Sequence, residues 1–456
     1  MIRLLTGTVV LPAIVLGVVI ASFVGSLRDG FDELSGHAAP QVAAAADLYV
    51  ALSDMDAQVA NVLLVGGDPG LSGNREHALD VYAKGRTQAD SDLQRVAAIG
   101  GNDPMVAHAV TSILDGFGPY QALAGEALSL NGSGHDAAGH PSATELAVYR
   151  QATALMPTLL RGTQALIAAS QASLDSAYQD SRSSAVLATV VVVLIGALLL
   201  AALVVTQVYL RRRLRRRLNP AIAAATLVAL VVTIVVPVLL GSASGQLRTA
   251  KVDAFDPIIA LSEARAVGQE AAANESRFLV DPRHAAQYQQ DFQDGSQSVV
   301  TLHGTDIQHY DLTLRTALDA YNIDYSNVRF GGDFAVVMAH LDSTPERYAA
   351  IRALARYAGF ELADRAMRTT LAQGDLRDAI EFDTGTALGY STDNLARYDA
   401  GIGNLITTEQ QVFDRAVADG TDDLSGWSGV WPAIVTVLVV VLVGAGVWPR
   451  LAEYRR

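Results

Sequence analysis

The 456-residue chain contains no cysteine, so no disulfide braces it and packing alone must hold any folded part together. Aromatic residues make up 6% and charged residues 18%, while half the chain is apolar and the mean hydropathy is +0.26. That balance departs from an ordinary soluble enzyme. No P-loop, nucleotide-binding glycine pattern, H-E-x-x-H or nucleophile elbow occurs, so catalysis is not expected and no catalytic residue or cofactor is assigned. All nine histidines lie outside the apolar runs. His303, Asp306 and His309 stand three apart, a spacing that drifts around a helix, and His135 and His140 sit in a Gly/Ser-rich stretch; solvated histidines are expected there, not a metal site. The many acids read as a solvated face.

Four long apolar runs are present, at residues 4–24, 185–208, 221–241 and 431–448. Each is about as long as the roughly 20 residues a helix needs to cross a bilayer. None carries Asp, Glu, Lys, Arg or His in its interior, which argues against an ion path or proton relay. Pro12 and Pro237 are candidate kinks. The first run exceeds the apolar core of a typical signal peptide and no clear A-x-A site follows it, so its retention is expected. Trp427, Trp431 and Trp448 suit interfacial anchoring.

Between the second and third runs stands "LRRRLRRRLN". Basic residues in short loops favour the cytoplasmic side, so Arg211, Arg212, Arg213, Arg215, Arg216 and Arg217 place the hairpin 209–220 inside. The same orientation puts Arg3 and the tail 449–456, with Arg450, Arg455 and Arg456, inside as well. It leaves residues 25–184 and 242–430 outside. Those segments hold 18 acids against 8 bases and 28 against 15, so the net charge of −14 belongs to the exported parts. It suits solubility and argues against nucleic acid as a partner. The arginines and the tail form a candidate contact for a cytosolic protein, or for anionic membrane lipids, at about 1 kcal/mol per basic residue.

Both outer segments are rich in Ala, Leu, Gln and acids and lack strand alternation, which predicts helices. Leu388, Leu395 and Ile402 recur every seven residues, with Tyr398, Leu405 and Val412 filling the second line of a seam. Leu146, Tyr149, Met156, Leu160, Ile167 and Leu174 make a looser one. Ser142 and Glu145 have capping-box spacing; Pro104 and Pro345 mark two further helix starts. Breaks at 66–73, 131–141, 331–333 and 384–389 suggest antiparallel bundles. From Ser142 to Arg211 nothing interrupts the helical pattern, so one helix of about 100 Å is expected. The expected fold is therefore all-α: a membrane protein with four transmembrane helices and two tandem extracytoplasmic antiparallel helical bundles.

The segments echo each other. "NVLLVGGDP" (61–69) and "NESRFLVDP" (274–282) share asparagine and Asp-Pro at one spacing, and a tyrosine helix follows each (Tyr82, Tyr288). A duplicated unit is the reading. Asn61, Asp68, Pro69, Asn274, Asp281 and Pro282 are either a membrane-distal docking tip for a partner or simple helix termination by Asp-Pro.

The basic hairpin "RRRLRRRLNP" running into the third span, the "TTEQQVFDRA" helix before the fourth, and the terminal "RLAEYRR" resemble the actinobacterial GlnX-type proteins, four-span membrane proteins with tandem helical-bundle sensor domains. The likeness of layout covers the whole chain on short motifs. It implies a relay: an extracytoplasmic solute-binding lipoprotein of the GlnH type senses amino acids such as aspartate and glutamate, and the membrane protein passes the state to the soluble Ser/Thr protein kinase G. No ligand residue is carried over. A non-enzymatic relay is thus the leading expectation, against a structural scaffold of the envelope or a direct small-molecule sensor; a homo-oligomer is left open.

Overall fold

The computed structural model describes residues 2–99, 104–134, 136–214, 219–306, 308–341 and 343–453. They form α1 (Ile2–Glu33), α2 (Ala39–Val65), α3 (Ser72–Ile99), α4 (Pro104–Ser133), α5 (Ala143–Leu214), α6 (Pro220–Arg248), α7 (Asp256–Val280), α8 (Ala285–Val299), α9 (Tyr310–Ile323), α10 (Asp333–His340), α11 (Thr344–Ala372), α12 (Leu376–Thr384), α13 (Ser391–Asp423) and α14 (Val430–Glu453). No strand occurs among the described residues; the nearest approach is one bridge between Thr301 and Gly331. Four helices are long and apolar enough to cross a membrane, so the all-α membrane fold is as expected.

Three of those four run on past their apolar stretch. Gly7–Val65 is one helical run of 59 residues, Ala143–Tyr209 one of 67 and Pro220–Val280 one of 61. In the first and third the run passes through a π-helical stretch, Leu34–Ala38 and Thr249–Phe255, just before Pro40 and Pro257. A proline lacks the N–H for the regular ladder and its ring crowds the carbonyl four residues back. A wider π turn immediately upstream lets the chain absorb that defect and continue. The same device recurs in both halves. The fourth apolar helix differs: residues 424–429 form turns between α13 and α14, with Gly426 at φ +75° packed under the Trp431 ring.

The chain divides into two compact units. The apolar unit comprises 1–36, 173–251 and 412–456. Its helices approach at small residues: Gly17 lies against Thr436 and the Pro432 carbonyl, and Gly196 against Thr233. In hydrocarbon, where apolar burial gives helices no reason to associate, such close backbone packing is what holds spans together. Leu11, Val18, Leu194, Leu198, Leu227, Ile234, Val238 and Val437 face outward, as a lipid-facing surface requires.

The polar unit comprises 37–172 and 252–411, so the parts of the two segments within it share one compact body, with α2 packed along α3 and α7. Tyr357, Phe360, Phe292, Phe334 and Tyr398 are buried at the heart of its second half. Leu395, Tyr398, Ile402 and Leu405 are buried as the heptad reading expects, but Leu388 is 78% exposed. It precedes α13 and lies in the turn that ends at Gly389, φ +92°, so the seam starts one heptad later. The capping box at α5 forms by half. Ser142 Oγ accepts from Glu145 N (3.3 Å), yet the Glu145 side chain is buried and takes the Asn131 amide (2.9 Å), while Asp136 receives Ser142 N (3.1 Å). A complete box stands instead at α11, between Ser343 and Glu346.

Candidate functional site

The two Asp-Pro corners end α2 and α7, and each is gripped by an arginine from the other half of the polar unit. Asp68 caps the short 3-10 turn Pro69–Leu71, accepting from Gly70 N (2.7 Å), and Arg377 of α12 reaches it at 3.0 Å. The Arg377 hydrogen bond and the Gly70 N–H hold its pKa below the usual carboxylate value. Asp281 is fully buried, and Arg150 of α5 binds both of its oxygens, Nε at 2.7 Å and Nη2 at 2.6 Å, with His284 Nδ1 at 2.9 Å. Burial alone would raise its pKa; the bonds from Arg150 and His284 outweigh it and hold the carboxyl below its ordinary range. Pro69 opens the 3-10 turn and Pro282 sits exposed after Asp281. Both acids therefore have internal partners, and the corners are built as clasps.

The asparagines lie deeper, along the α2–α7 junction. Asn61 accepts from Ser276 Oγ (2.5 Å), which also lies 2.8 Å from Asp383 Oδ2. Asn274 accepts from Arg277 Nη1 (2.7 Å). Arg277 is buried; its Nε donates to Tyr149 OH (3.3 Å) and its other terminal nitrogen pairs with buried Asp56, which also accepts from Tyr120 OH (3.3 Å). Burial lowers the Arg277 pKa to about 10, so it stays charged at neutral pH.

Beside this pair a cleft of about 190 Å³ opens between α2, α5, α7 and α8. Its α7 wall is written at helical spacing, Glu270, Ala273, Asn274 and Arg277 on one face. Met156 and Leu160 of α5 give an apolar side, Ser53 and Asp56 come from α2, and Tyr288 and Asp291 from α8. Burial raises the pKa of Glu270, against a lowering bond from Tyr49 OH at 3.3 Å.

A second buried network surrounds Arg368 of α11. It binds Asp364 through Nε (2.8 Å) and lies 4.1 Å from the Phe278 ring centroid. Glu275, Glu361 and Asp383 are buried within its electrostatic reach. Burial pushes Glu361 up to about 8 and Asp383 up to about 7, and Glu275 well above its ordinary value. Ser296 donates to Glu361 (2.6 Å) and Ser391 to Glu275 (2.6 Å).

Of the basic candidates, Arg211, Arg212 and Arg213 lie in the last turn of α5 and Arg450 in α14. Arg215, Arg216, Arg217, Arg455 and Arg456 fall outside the described residues. Next to the hairpin, Asn219 caps α6 and donates to the Gly446 carbonyl of α14 (2.9 Å). That tie, the Arg277 cleft and the Arg368 network went unread in the sequence. The polar residues Glu270, Asn274 and Arg277 at i, i+4 and i+7 were the one available signal.

Residues 30–179 match a family model described as an actinobacterial sensor domain. No curated protein and no solved structure matches the chain. The matched residues cover most of the first segment, including the α2 and α5 walls of the cleft and the Asp68 corner. Four apolar helices together with this match fit a multi-pass membrane protein with a sensing or signalling role.

Proposed function

We propose that the chain is a non-enzymatic transmembrane signal relay in the plasma membrane. In this reading both polar segments face outward, both ends and the arginine hairpin face the cytoplasm, and the outer segments read amino-acid availability of the aspartate and glutamate class through a solute-binding lipoprotein. The inner arginines pass that state to a cytosolic Ser/Thr protein kinase. The observation that supports it most is the match of residues 30–179 to an actinobacterial sensor domain in a chain with four apolar helices; a shift or rotation of packed helices is a natural carrier of such a state. Coupling of ~1–3 kcal/mol suffices to change an affinity ~5- to 150-fold.

The test uses full-length protein in nanodiscs. Ligand-loaded binding protein is expected to alter hydrogen exchange in α2 and α7, and the kinase is expected to co-purify until the hairpin arginines are neutralised. Unchanged exchange would favour a scaffold. Kinase retained without the arginines removes them from docking. Because the chain has no cysteine, single cysteines at the exposed Ser133 and Ala418 report sidedness in intact cells without background; labelling from the cytoplasmic side would overturn the topology.

A further inference from the structure

The cleft between α2, α5, α7 and α8 holds about 190 Å³, smaller than the ~300–1,000 Å³ sites of drug-sized ligands and so sized for a guest of few heavy atoms. Its charge is arranged along its length. Arg277 commits three of its N–H groups, to Tyr149, Asn274 and Asp56, and a guanidinium carries five, so two remain. Glu270 stands seven residues earlier on the same face of α7, about 10 Å along the axis, and Asp291 adds a second carboxylate from α8. Glu270 takes the Tyr49 hydroxyl (3.3 Å) and Asp291 the Gln287 amide (2.8 Å); neither forms an ion pair among the described residues, and Arg277 lies within electrostatic reach of Asp291. On the α2 wall Ser53 Oγ is buried, 2% exposed, and has no hydrogen-bond partner among the described residues.

An anion alone would enter against three carboxylates, Asp56, Glu270 and Asp291. A cation alone would leave the spare Arg277 donors desolvated, and an apolar guest would leave every polar wall atom so, at a cost of about 1–3 kcal/mol for each unsatisfied group. We propose that the cleft binds a small dipolar molecule, its ammonium seated against Glu270 and Asp291, its carboxylate on the free N–H groups of Arg277, with Ser53 supplying a further hydrogen bond. Such a ligand bridges α2 and α5 of the first segment to α7 and α8 of the second, so it stabilises whichever packing brings those walls together. This site stands on the cleft alone and holds whether or not a binding protein or kinase engages the chain.

Calorimetry and thermal shift on the full-length protein in detergent test it with glycine, β-alanine and γ-aminobutyrate, which grade the distance between ammonium and carboxylate. Succinate and putrescine carry one sign only. At least one dipolar compound is expected to bind with Kd below ~1 mM, and succinate and putrescine at least about tenfold more weakly. Glu270→Gln, which keeps shape and removes charge, should weaken binding at least about tenfold, with the unliganded Tm within about 2 °C of the parent. Ser53→Ala should weaken it about fivefold, the worth of one hydrogen bond, and decides the matter if the first variant fails to fold. No binding by the three dipolar compounds at ~10 mM, equal binding of succinate or putrescine, or an affinity untouched by either substitution would overturn the assignment.

Discussion

Two arginines, Arg277 buried and Arg368 half-buried, organise the polar unit, and their surroundings are balanced in opposite ways. Arg277 meets one carboxylate, an amide and a phenol, and its neighbourhood opens on a cleft. Arg368 has four buried acids within reach, Asp364, Glu275, Glu361 and Asp383. One guanidinium cannot neutralise four carboxylates in a desolvated interior, so protons make up the deficit and the acid pKa values rise. The first arrangement is held by a matched ion pair and leaves donors for a guest. The second is held partly by protonation and depends on pH.

The comparison breaks most visibly by removing each cation. Arg277→Met leaves Asp56 buried without its partner and is expected to cost about 3–5 kcal/mol, read from thermal unfolding of the reconstituted chain at pH 7; a loss under ~1 kcal/mol would end the contrast. Arg368→Met should cost less at pH 5 than at pH 8, because its acids can take up protons in place of the lost charge.

Titration sharpens the same contrast. Glu361 and Asp383 are raised to about 8 and about 7 in the folded chain, whereas the unfolded chain titrates them near 4. The folded state therefore holds more protons between those limits, and stability falls as pH rises from about 4 through about 8, levelling beyond. The Tm at pH 5 is expected to exceed that at pH 8 by at least ~2–4 °C, the shift for 1 kcal/mol in a unit of this size. Glu361→Gln should remove part of that slope; an unchanged slope would mean that the acids are not the proton store.

The Asp-Pro corners offer a smaller comparison. Arg150→Met strips a bidentate partner from fully buried Asp281 and is expected to cost about 1–3 kcal/mol. Arg377→Met releases the exposed Asp68 corner and should cost clearly less, because solvent screens a surface pair. Equal losses would show that the two clasps do the same task. Smallest are the caps. Ser343→Ala, which breaks a complete box, should cost about 1 kcal/mol, and Ser142→Ala, where the reciprocal half is absent, nearer ~0.5 kcal/mol.

Much of the fold was legible in the amino-acid order. The apolar runs, the uninterrupted α5 and the helix ends at Gly66, Asp68 and Asp281 were readable because each depends on residues within a few turns of one another. The site was far less so. Asn61, Asp68, Asn274 and Asp281 stood out by repetition, yet nothing local says that Arg150 serves Asp281 from 131 residues away or that Arg377 serves Asp68 from 309 residues away. Leu388 shows the converse: its spacing fits the seam, but the helix that would carry it into the core begins three residues later, at Ser391.

The order of residues alone determined that this is an all-α chain with four apolar helices, since hydrogen bonding within a helix and transfer of about 20 apolar side chains into hydrocarbon add up along the chain. Only the tertiary structure decided which acid meets which arginine, that parts of the two segments share one body, and that a polar cleft lies where α2 and α7 meet. Those outcomes turn on desolvation and charge pairing between helices distant in sequence. The strength of such pairing depends on burial and on approach within a few ångströms, which only the packed helices set.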